Sequence, residues 1–78
     1  MNTEDLSYAL VQRLRLIDIV LEHSNVFNRK ILMDYFGISM PQASTDLANY
    51  IKLTPGNLIY DKSNKTYRRA PTFQRVWK

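Results

Sequence analysis

Residues 39–49 concentrate side chains that form hydrogen bonds but carry little charge. Gln42 and Asn49 have carboxamides that can bond adenine through its N6 and N7 atoms, and Thr45 offers a hydroxyl or a methyl group. Ser39, together with the free N–H groups at the start of a helix, can hold a phosphate. This chemistry is hydrogen bonding with defined geometry, so any charge needed to attract a polyanion has to come from elsewhere in the chain.

That charge is present and unevenly distributed. Residues 1–24 hold four acidic and two basic side chains (net −2), whereas residues 25–78 hold nine basic and three acidic ones (net +6), and the whole chain carries +4. A basic region of this kind favours a polyanionic partner such as nucleic acid, although a solvated basic surface would show the same composition. The basic residues close to the elements described below are Arg29, Lys30, Lys52, Lys62, Lys65, Arg68 and Arg69.

The first predicted helix covers residues 3–23, with Thr3 as its N-terminal cap. One apolar stripe at helical spacing consists of Leu6, Leu10, Leu14, Ile17 and Leu21. A second apolar flank consists of Leu16, Ile19 and Val20. Because this surface is wider than one small core needs, we expect the helix to be central in the fold or to face a partner as well.

A connector at residues 24–27 leads to a second predicted helix over residues 29–36. Asn28 is a suitable N-terminal cap for it, and Gly37 suits the left-handed backbone position that ends a helix. The predicted buried face of this helix consists of Ile31, Leu32, Tyr35 and Phe36.

A third helix is predicted from the cap Ser39 to about Ile51, with Pro41 in its first turn, where a missing N–H costs nothing. Its inward residues are Ala43, Leu47, Tyr50 and Ile51. Its outward residues are Pro41, Gln42, Thr45, Ala48 and Asn49, with Ser44 and Asp46 at the sides. We expect Asp46 to pair with a basic side chain or to cap, because it would repel a phosphate.

Beyond a turn at residues 55–57, residues 58–60 and 65–69 are prone to form strands and flank a turn at residues 61–64. This pattern predicts a two-stranded hairpin in which Asn64 takes the left-handed position. The predicted fold class is therefore mainly α with a small β-hairpin, in the order of a winged helix-turn-helix with three helices plus a wing.

In such a fold the third helix enters the major groove of DNA and the wing lies along the backbone. The predicted DNA-binding residues are Arg29, Ser39, Pro41, Gln42, Ser44, Thr45, Asn49, Lys62, Ser63, Asn64, Lys65 and Arg68. The alternative interpretation of the third helix is an ordinary amphipathic surface helix that binds no DNA. With one His, no Cys and two Gly, the chain offers no catalytic constellation, metal-ligand cluster or phosphate-binding glycine loop, so we expect no enzyme, no metal and no cofactor.

Three motifs carry a resemblance to a known family. They are FGIS-x-PQAS-x-DL (residues 36–47), PGNL-x-YDKS (residues 55–63) and KTY (residues 65–67). Together they resemble the N-terminal winged-helix domain of bacterial WYL-domain transcriptional regulators, and they are most similar to the branch that represses phage-defence operons of the BREX and CBASS types.

The resemblance implies a homodimeric repressor that binds inverted-repeat operators, with a following WYL domain that senses a ligand. It places Ser39, Pro41, Gln42 and Ser44 in the recognition helix and residues 62–65 in the wing. The sequence departs from the family at Arg75, where the family's linker carries proline. We accordingly expect a DNA-binding domain over residues 1–70 and the start of a linker to a missing downstream domain over residues 71–78.

The sequence thus predicts a sequence-specific double-stranded DNA-binding domain of a cytoplasmic, nucleoid-associated bacterial repressor that occludes its operator, with no membrane partner. The alternative is a winged helix used for protein interaction or dimerisation, through the apolar flank of the first helix and the tail residues Phe73, Val76 and Trp77. A third hypothesis is RNA binding, in which bases stack on Tyr60 and Tyr67. A simpler interpretation is that these two side chains fill the core under the wing.

Overall fold

A computed structural model describes residues 7–77 as three helices and three short strands. Their bounds are α1 Tyr8–Ser24, β1 Val26–Phe27, α2 Arg29–Phe36, α3 Met40–Leu53, β2 Leu58–Asp61 and β3 Thr66–Arg69. The predicted mainly-α architecture with a wing is confirmed. Within residues 7–77, no helix is both long and apolar enough to cross a membrane.

Helix α1 begins later than the sequence predicted. Ser7 has an extended backbone and its Oγ accepts a hydrogen bond from the N–H of Leu10 at 3.2 Å, so it caps a helix that starts at Tyr8. The predicted cap Thr3 and the first turn after it lie outside the described residues. At the other end, Asn25 is left-handed (φ 63°) and its N–H bonds the carbonyl of Leu21 at 3.2 Å.

The helix-turn-helix boundaries follow the predicted caps. The side chain of Asn28 accepts from the N–H of Ile31 at 3.3 Å, and Gly37, at φ 66°, ends α2. Ser39 caps α3 in the same manner, accepting from the N–H of Gln42 at 3.3 Å. α3 continues to Leu53, past the predicted end at residue 51, and it stops only where the proline at position 55 disfavours further helix.

The wing is a three-stranded antiparallel sheet in the order β1-β3-β2, where two strands were predicted. The predicted connector at residues 24–27 contains β1, whose Val26 and Phe27 lie opposite Arg68 and Tyr67 of β3. A two-residue strand is too short to show the alternating pattern that identifies strands in a sequence. Because β1 lies between α1 and α2, it joins the wing directly to the helical part of the domain.

The prediction that Asn64 takes the left-handed position in the wing turn is wrong, since Lys65 occupies it (φ 54°). Asn64 is instead bonded to Asp61, with its Nδ2 at 3.0 Å from Oδ2 and its N–H at 3.3 Å from Oδ1. The N–H of Ser63 also donates to Asp61, at 3.0 Å. These bonds, the side-chain bond of Asn64 first, hold the pKa of Asp61 below its usual value and shape the turn.

The core lies where α1, α2 and α3 meet the sheet. Its buried residues are Leu14, Ile17, Leu21, Phe27, Leu32, Ala43, Leu47, Tyr50 and Trp77. Ile51, predicted to face inward, is 43% exposed, because it follows Tyr50 by a rotation of about 100° around α3. Tyr35, predicted to be buried on α2, is also exposed, and its ring packs edge-on against Phe36 at 4.9 Å.

Residues 76 and 77 pack back onto the helices. Trp77 is only 6% exposed, and its ring centroid lies 5.7 Å from that of Tyr50. The Oδ2 atom of Asp18 accepts hydrogen bonds from the N–H groups of Val76 and Trp77, both at 2.8 Å. The domain boundary at residue 70 stays a prediction, but Trp77 belongs to the core and does not contribute to an exposed apolar patch.

A buried polar network joins α1, α3 and the C-terminal segment. The hydroxyl of Tyr50 donates to Oδ1 of the fully buried Asp18 and accepts from Nδ2 of Asn57 at 3.1 Å. The side chain of Asn57 also forms two hydrogen bonds with the backbone of Gln74: its Nδ2 donates to the carbonyl at 2.9 Å, and its Oδ1 accepts from the N–H at 3.0 Å. Burial in the first place, and then the bond to Asp18, raises the pKa of Tyr50, so its hydroxyl stays a proton donor.

Candidate nucleic-acid interface

The outward face of α3 is the one predicted from the sequence. Its exposed residues are Pro41, Gln42, Thr45 and Ala48, with Ser44 and Asn49 half-buried at its margins. Behind it, Ala43, Leu47 and Tyr50 are buried and fix the helix to the core. The outward side chains are small or uncharged, so the helix can approach a groove closely and offer hydrogen bonds there.

The hydroxyl of Thr45 is already used within α3. Its Oγ1 donates to the carbonyl of Pro41 one turn earlier, at 3.0 Å. Its oxygen can therefore only accept from a ligand, while its methyl group is available for apolar contact of the kind that a thymine methyl offers.

The side chain of Gln42 is hydrogen-bonded to Asp46, which itself forms an ion pair with Arg13. Its Nε2 donates to Oδ1 of Asp46 at 3.0 Å, and the other carboxylate oxygen, Oδ2, lies 2.6 Å from Nε of Arg13 on α1. The expectation that Asp46 pairs with a basic side chain is confirmed. The sequence placed Asp46 at the side of α3, but the structure shows that the residue is fully buried. Sequence reasoning missed the role of Arg13, because nothing in a sequence pairs two residues 33 positions apart.

Ser44 and Arg29 meet across the turn between α2 and α3. Nη1 of Arg29 donates to Oγ of Ser44 at 2.8 Å. The guanidinium is thus fixed beside α3 while its other N–H groups remain available, and a fixed planar donor of this kind suits a phosphate.

A groove of about 500 Å³ separates the start of α2 and α3 from the tip of the wing. Its lining residues are Asn28, Arg29, Lys30, Met33, Asp34, Met40, Asn64, Lys65 and Thr66. The fold therefore brings together Arg29, Asn64 and Lys65, which the sequence had predicted separately. Met40, half-exposed beside the cap Ser39, was missed, because an apolar residue at a helix start carries no signal for binding.

The remaining wing candidates lie outside this groove. Lys62 and Ser63 are exposed at the tip. Arg68 is exposed on β3, and its Nε lies 4.0 Å from Oδ2 of Asp61, which offsets part of its charge. Arg69 is bound to the end of α1, donating to the carbonyls of residues 21 and 22, so it serves the fold.

Three helices, a Gly-bearing turn before an outward third helix, and a wing beside it define a winged helix-turn-helix domain. Over residues 9–77 the sequence matches the model of the BrxR transcriptional regulator winged helix-turn-helix domain. The chain belongs to this family, which confirms the family resemblance that the FGIS, PGNL and KTY motifs indicated.

Several longer proteins are similar to this chain over most of its length. The chain is 50% identical over 66 residues to the DNA-binding transcriptional repressor CapW of Escherichia coli (strain KTE188), covering 85% of this chain and 22% of that protein. The identity is 44% over 66 residues to CapW of Pseudomonas aeruginosa (85% and 22% covered) and 42% over 67 residues to CapW of Stenotrophomonas maltophilia (86% and 22%). The chain thus spans 22% of the length of these relatives.

Proposed function

We propose that this chain is the sequence-specific, double-stranded DNA-binding domain of a bacterial transcriptional repressor. One observation carries the proposal: the uncharged hydrogen-bonding face of α3 lies directly beside a groove that holds Arg29 and Lys65. A base-reading surface next to phosphate-binding charge is what direct readout requires. The repressors named above support the same assignment, and a family of transcriptional regulators gives no reason to propose an enzyme.

In this function α3 contacts the bases of the DNA, while the groove and the wing contact its phosphates. α3 lies in the major groove, where Gln42, Ser44 and Thr45 read base edges and Asn49 lies at the margin of the same face. Phosphates are bound around the groove and along the wing. The proposed phosphate-binding residues are Arg29, Ser39, Lys62, Ser63, Asn64, Lys65 and Arg68, whereas Pro41, which has no N–H, contacts DNA only through its ring.

The wider setting is also a proposal. The full-length protein acts as a homodimer on an inverted-repeat operator, occludes the promoter of a phage-defence operon, and works in the cytoplasm in association with the nucleoid. Two-fold symmetry in the protein matches pseudo-palindromic DNA, which is why a dimer and an inverted repeat are proposed together.

A gel shift with the upstream region of the native operon, at two salt concentrations, tests the function. We expect a preference over random DNA of equal length, and affinity that falls steeply with salt. If the four basic side chains Arg29, Lys62, Lys65 and Arg68 each neutralise one phosphate, affinity should drop on the order of 100-fold between 50 and 200 mM salt. Equal binding to both DNAs at every salt concentration would exclude sequence-specific recognition.

Replacing Gln42 with alanine should weaken binding to the cognate site by about 1–3 kcal/mol, because a bidentate base contact is lost. Its effect on random DNA should be small. The matched control is Lys65→Ala, which should weaken cognate and random DNA by a similar factor and reduce the salt slope by about one. Titrations monitored by fluorescence anisotropy measure both. If Lys65→Ala changed the base preference, its assignment to the backbone would be wrong.

The alternative function, a protein-interaction module that dimerises, draws on a different surface. A groove of about 290 Å³ lies on the outer side of α1 and α2, where Tyr35 is 71% exposed. It is lined by Gln12, Arg15, Leu16, Ile19, Tyr35 and Phe36. Light scattering on the chain and on a Tyr35→Ser variant tests this reading: a dimer that becomes a monomer in the variant supports it, and a monomer in both contradicts it.

A further inference from the structure

We propose that Asp46, supported by Arg13, is a positioning residue that orients the carboxamide of Gln42 so that it reads adenine and rejects guanine. The inference rests on the proposed function, because it names the base preference of the same α3 face. It adds a residue that never touches DNA to the set that determines specificity.

Both oxygens of the Asp46 carboxylate are engaged within the protein, one with Arg13 and the other with Gln42. Asp46 is fully buried, and its Oδ2 lies 2.6 Å from Nε of Arg13, so the guanidinium compensates its charge. The other oxygen, Oδ1, lies 3.0 Å from Nε2 of Gln42. An ionised carboxylate has acceptors only. Consequently the nitrogen of the Gln42 amide must face Asp46, and the amide cannot turn over without placing its oxygen against a carboxylate oxygen.

This fixed orientation decides which edge of the amide reaches a base. Nε2 carries two N–H groups, and Asp46 occupies one of them. What remains is the second N–H beside the carbonyl oxygen Oε1, which is an edge with one donor and one acceptor. Adenine presents the complementary edge in the major groove, with N7 as acceptor and its N6 amino group as donor.

Guanine presents two acceptors, O6 and N7, at the same position. To bond both, Gln42 would need both N–H groups, one of which is held by Asp46. Its Oε1 would instead lie against a guanine acceptor. The positioning bond therefore excludes guanine as well as favouring adenine, and specificity often depends on such a repulsive element.

The variant Asp46→Asn tests this role because it keeps the size of the side chain and adds a donor. Its amide N–H can face Oε1 of Gln42, so the Gln42 amide can turn over and present both N–H groups outward. We expect the adenine-over-guanine affinity ratio, at the base pair whose preference Gln42→Ala abolishes, to fall at least tenfold. Competition binding with operators varied at that base pair measures it, and the double variant with Gln42→Ala should show a ratio near one.

An unchanged ratio in a folded Asp46→Asn protein would overturn the proposal, even if its affinity for every operator fell. A uniform loss of affinity is what a merely structural role predicts. Circular dichroism establishes whether the variant is folded.

A second measurement does not depend on the variant or on DNA. Relaxation of the side-chain ¹⁵N nuclei in the wild-type chain should show the carboxamide of Gln42 to be more restricted than that of Gln12 on α1, whose side chain forms no hydrogen bond with any of residues 7–77. Equal mobility of the two amides would also overturn the proposal.

The two proposals fail in different ways. If the wild-type chain shows no base preference at all, the proposed function is wrong, whatever the mobility of Gln42. If the wild type prefers adenine, Gln42→Ala removes the preference and Asp46→Asn leaves it unchanged, only the positioning role of Asp46 is wrong.

Discussion

Replacing Trp77 with alanine is expected to lower the free energy of unfolding by about 3–5 kcal/mol. The side chain is almost fully buried and packs against the ring of Tyr50, so its removal leaves a cavity in the core. A chain of 78 residues has a total stability of roughly 4–12 kcal/mol, so much of the protein should unfold at moderate temperature. Because Trp77 is the only tryptophan in the chain, denaturation should be followed by circular dichroism.

The neighbouring residue supplies the control for this experiment. Val76 is 45% exposed, and Val76→Ala should change stability by no more than about 0.5 kcal/mol. If residues 71–78 acted only as a linker, both substitutions would have similarly small effects. That result would contradict the placement of Trp77 in the core.

Replacing Asp18 with alanine should destabilise the domain by about 3 kcal/mol. Its carboxylate accepts the hydroxyl proton of Tyr50 and the N–H groups of Val76 and Trp77, and each buried donor left without a partner costs about 1–3 kcal/mol. Urea titrations of the variant and the wild type measure the change. A loss under about 1 kcal/mol would mean that water replaces the carboxylate without penalty.

Glu22, one turn further along α1, provides a matched control. It is a partly exposed acidic residue that lies 3.2 Å from Arg75, at the surface of the protein. Exposed ion pairs contribute about 0–1 kcal/mol, so Glu22→Ala should have a much smaller effect than Asp18→Ala. The comparison separates the buried hydrogen bonds of Asp18 from the general consequence of removing a negative charge from α1.

Features that depend on neighbouring residues could be predicted from the sequence. Asn28, Gly37 and Ser39 act within one turn of their own position, so their capping roles follow from residue type and spacing. The outward face of α3 is equally local, because it follows from helical geometry and from the apolar residues behind it. These features were enough to indicate the fold and the candidate surface.

Features that depend on distant parts of the chain could not be predicted in this way. Strand β1 exists because β3 supplies its partners, and the sequence of Val26 and Phe27 alone does not require a strand. The left-handed residue of the wing turn is Lys65 because the side chain of Asn64 is engaged by Asp61.

The candidate site shows the same division between local and distant effects. The exposure of Gln42 follows from the helical period, whereas the direction of its amide depends on Asp46 and, through it, on Arg13 of α1. Sequence patterns therefore identify which residues face a ligand more readily than they identify how each functional group is turned.

The hydrogen-bond network around Tyr50 also limits the rotation of α3 about its own axis. Apolar contacts are non-directional, so a helix seated only on leucines can turn slightly about its own axis at little cost. The hydroxyl of Tyr50 donates to Asp18 and accepts from Asn57, and because these two hydrogen bonds are directional, they hold the Tyr50 side of α3 at a fixed angle. Gln42 and Thr45 lie on the same helix, so the angle at which these two exposed side chains face outward is fixed as well.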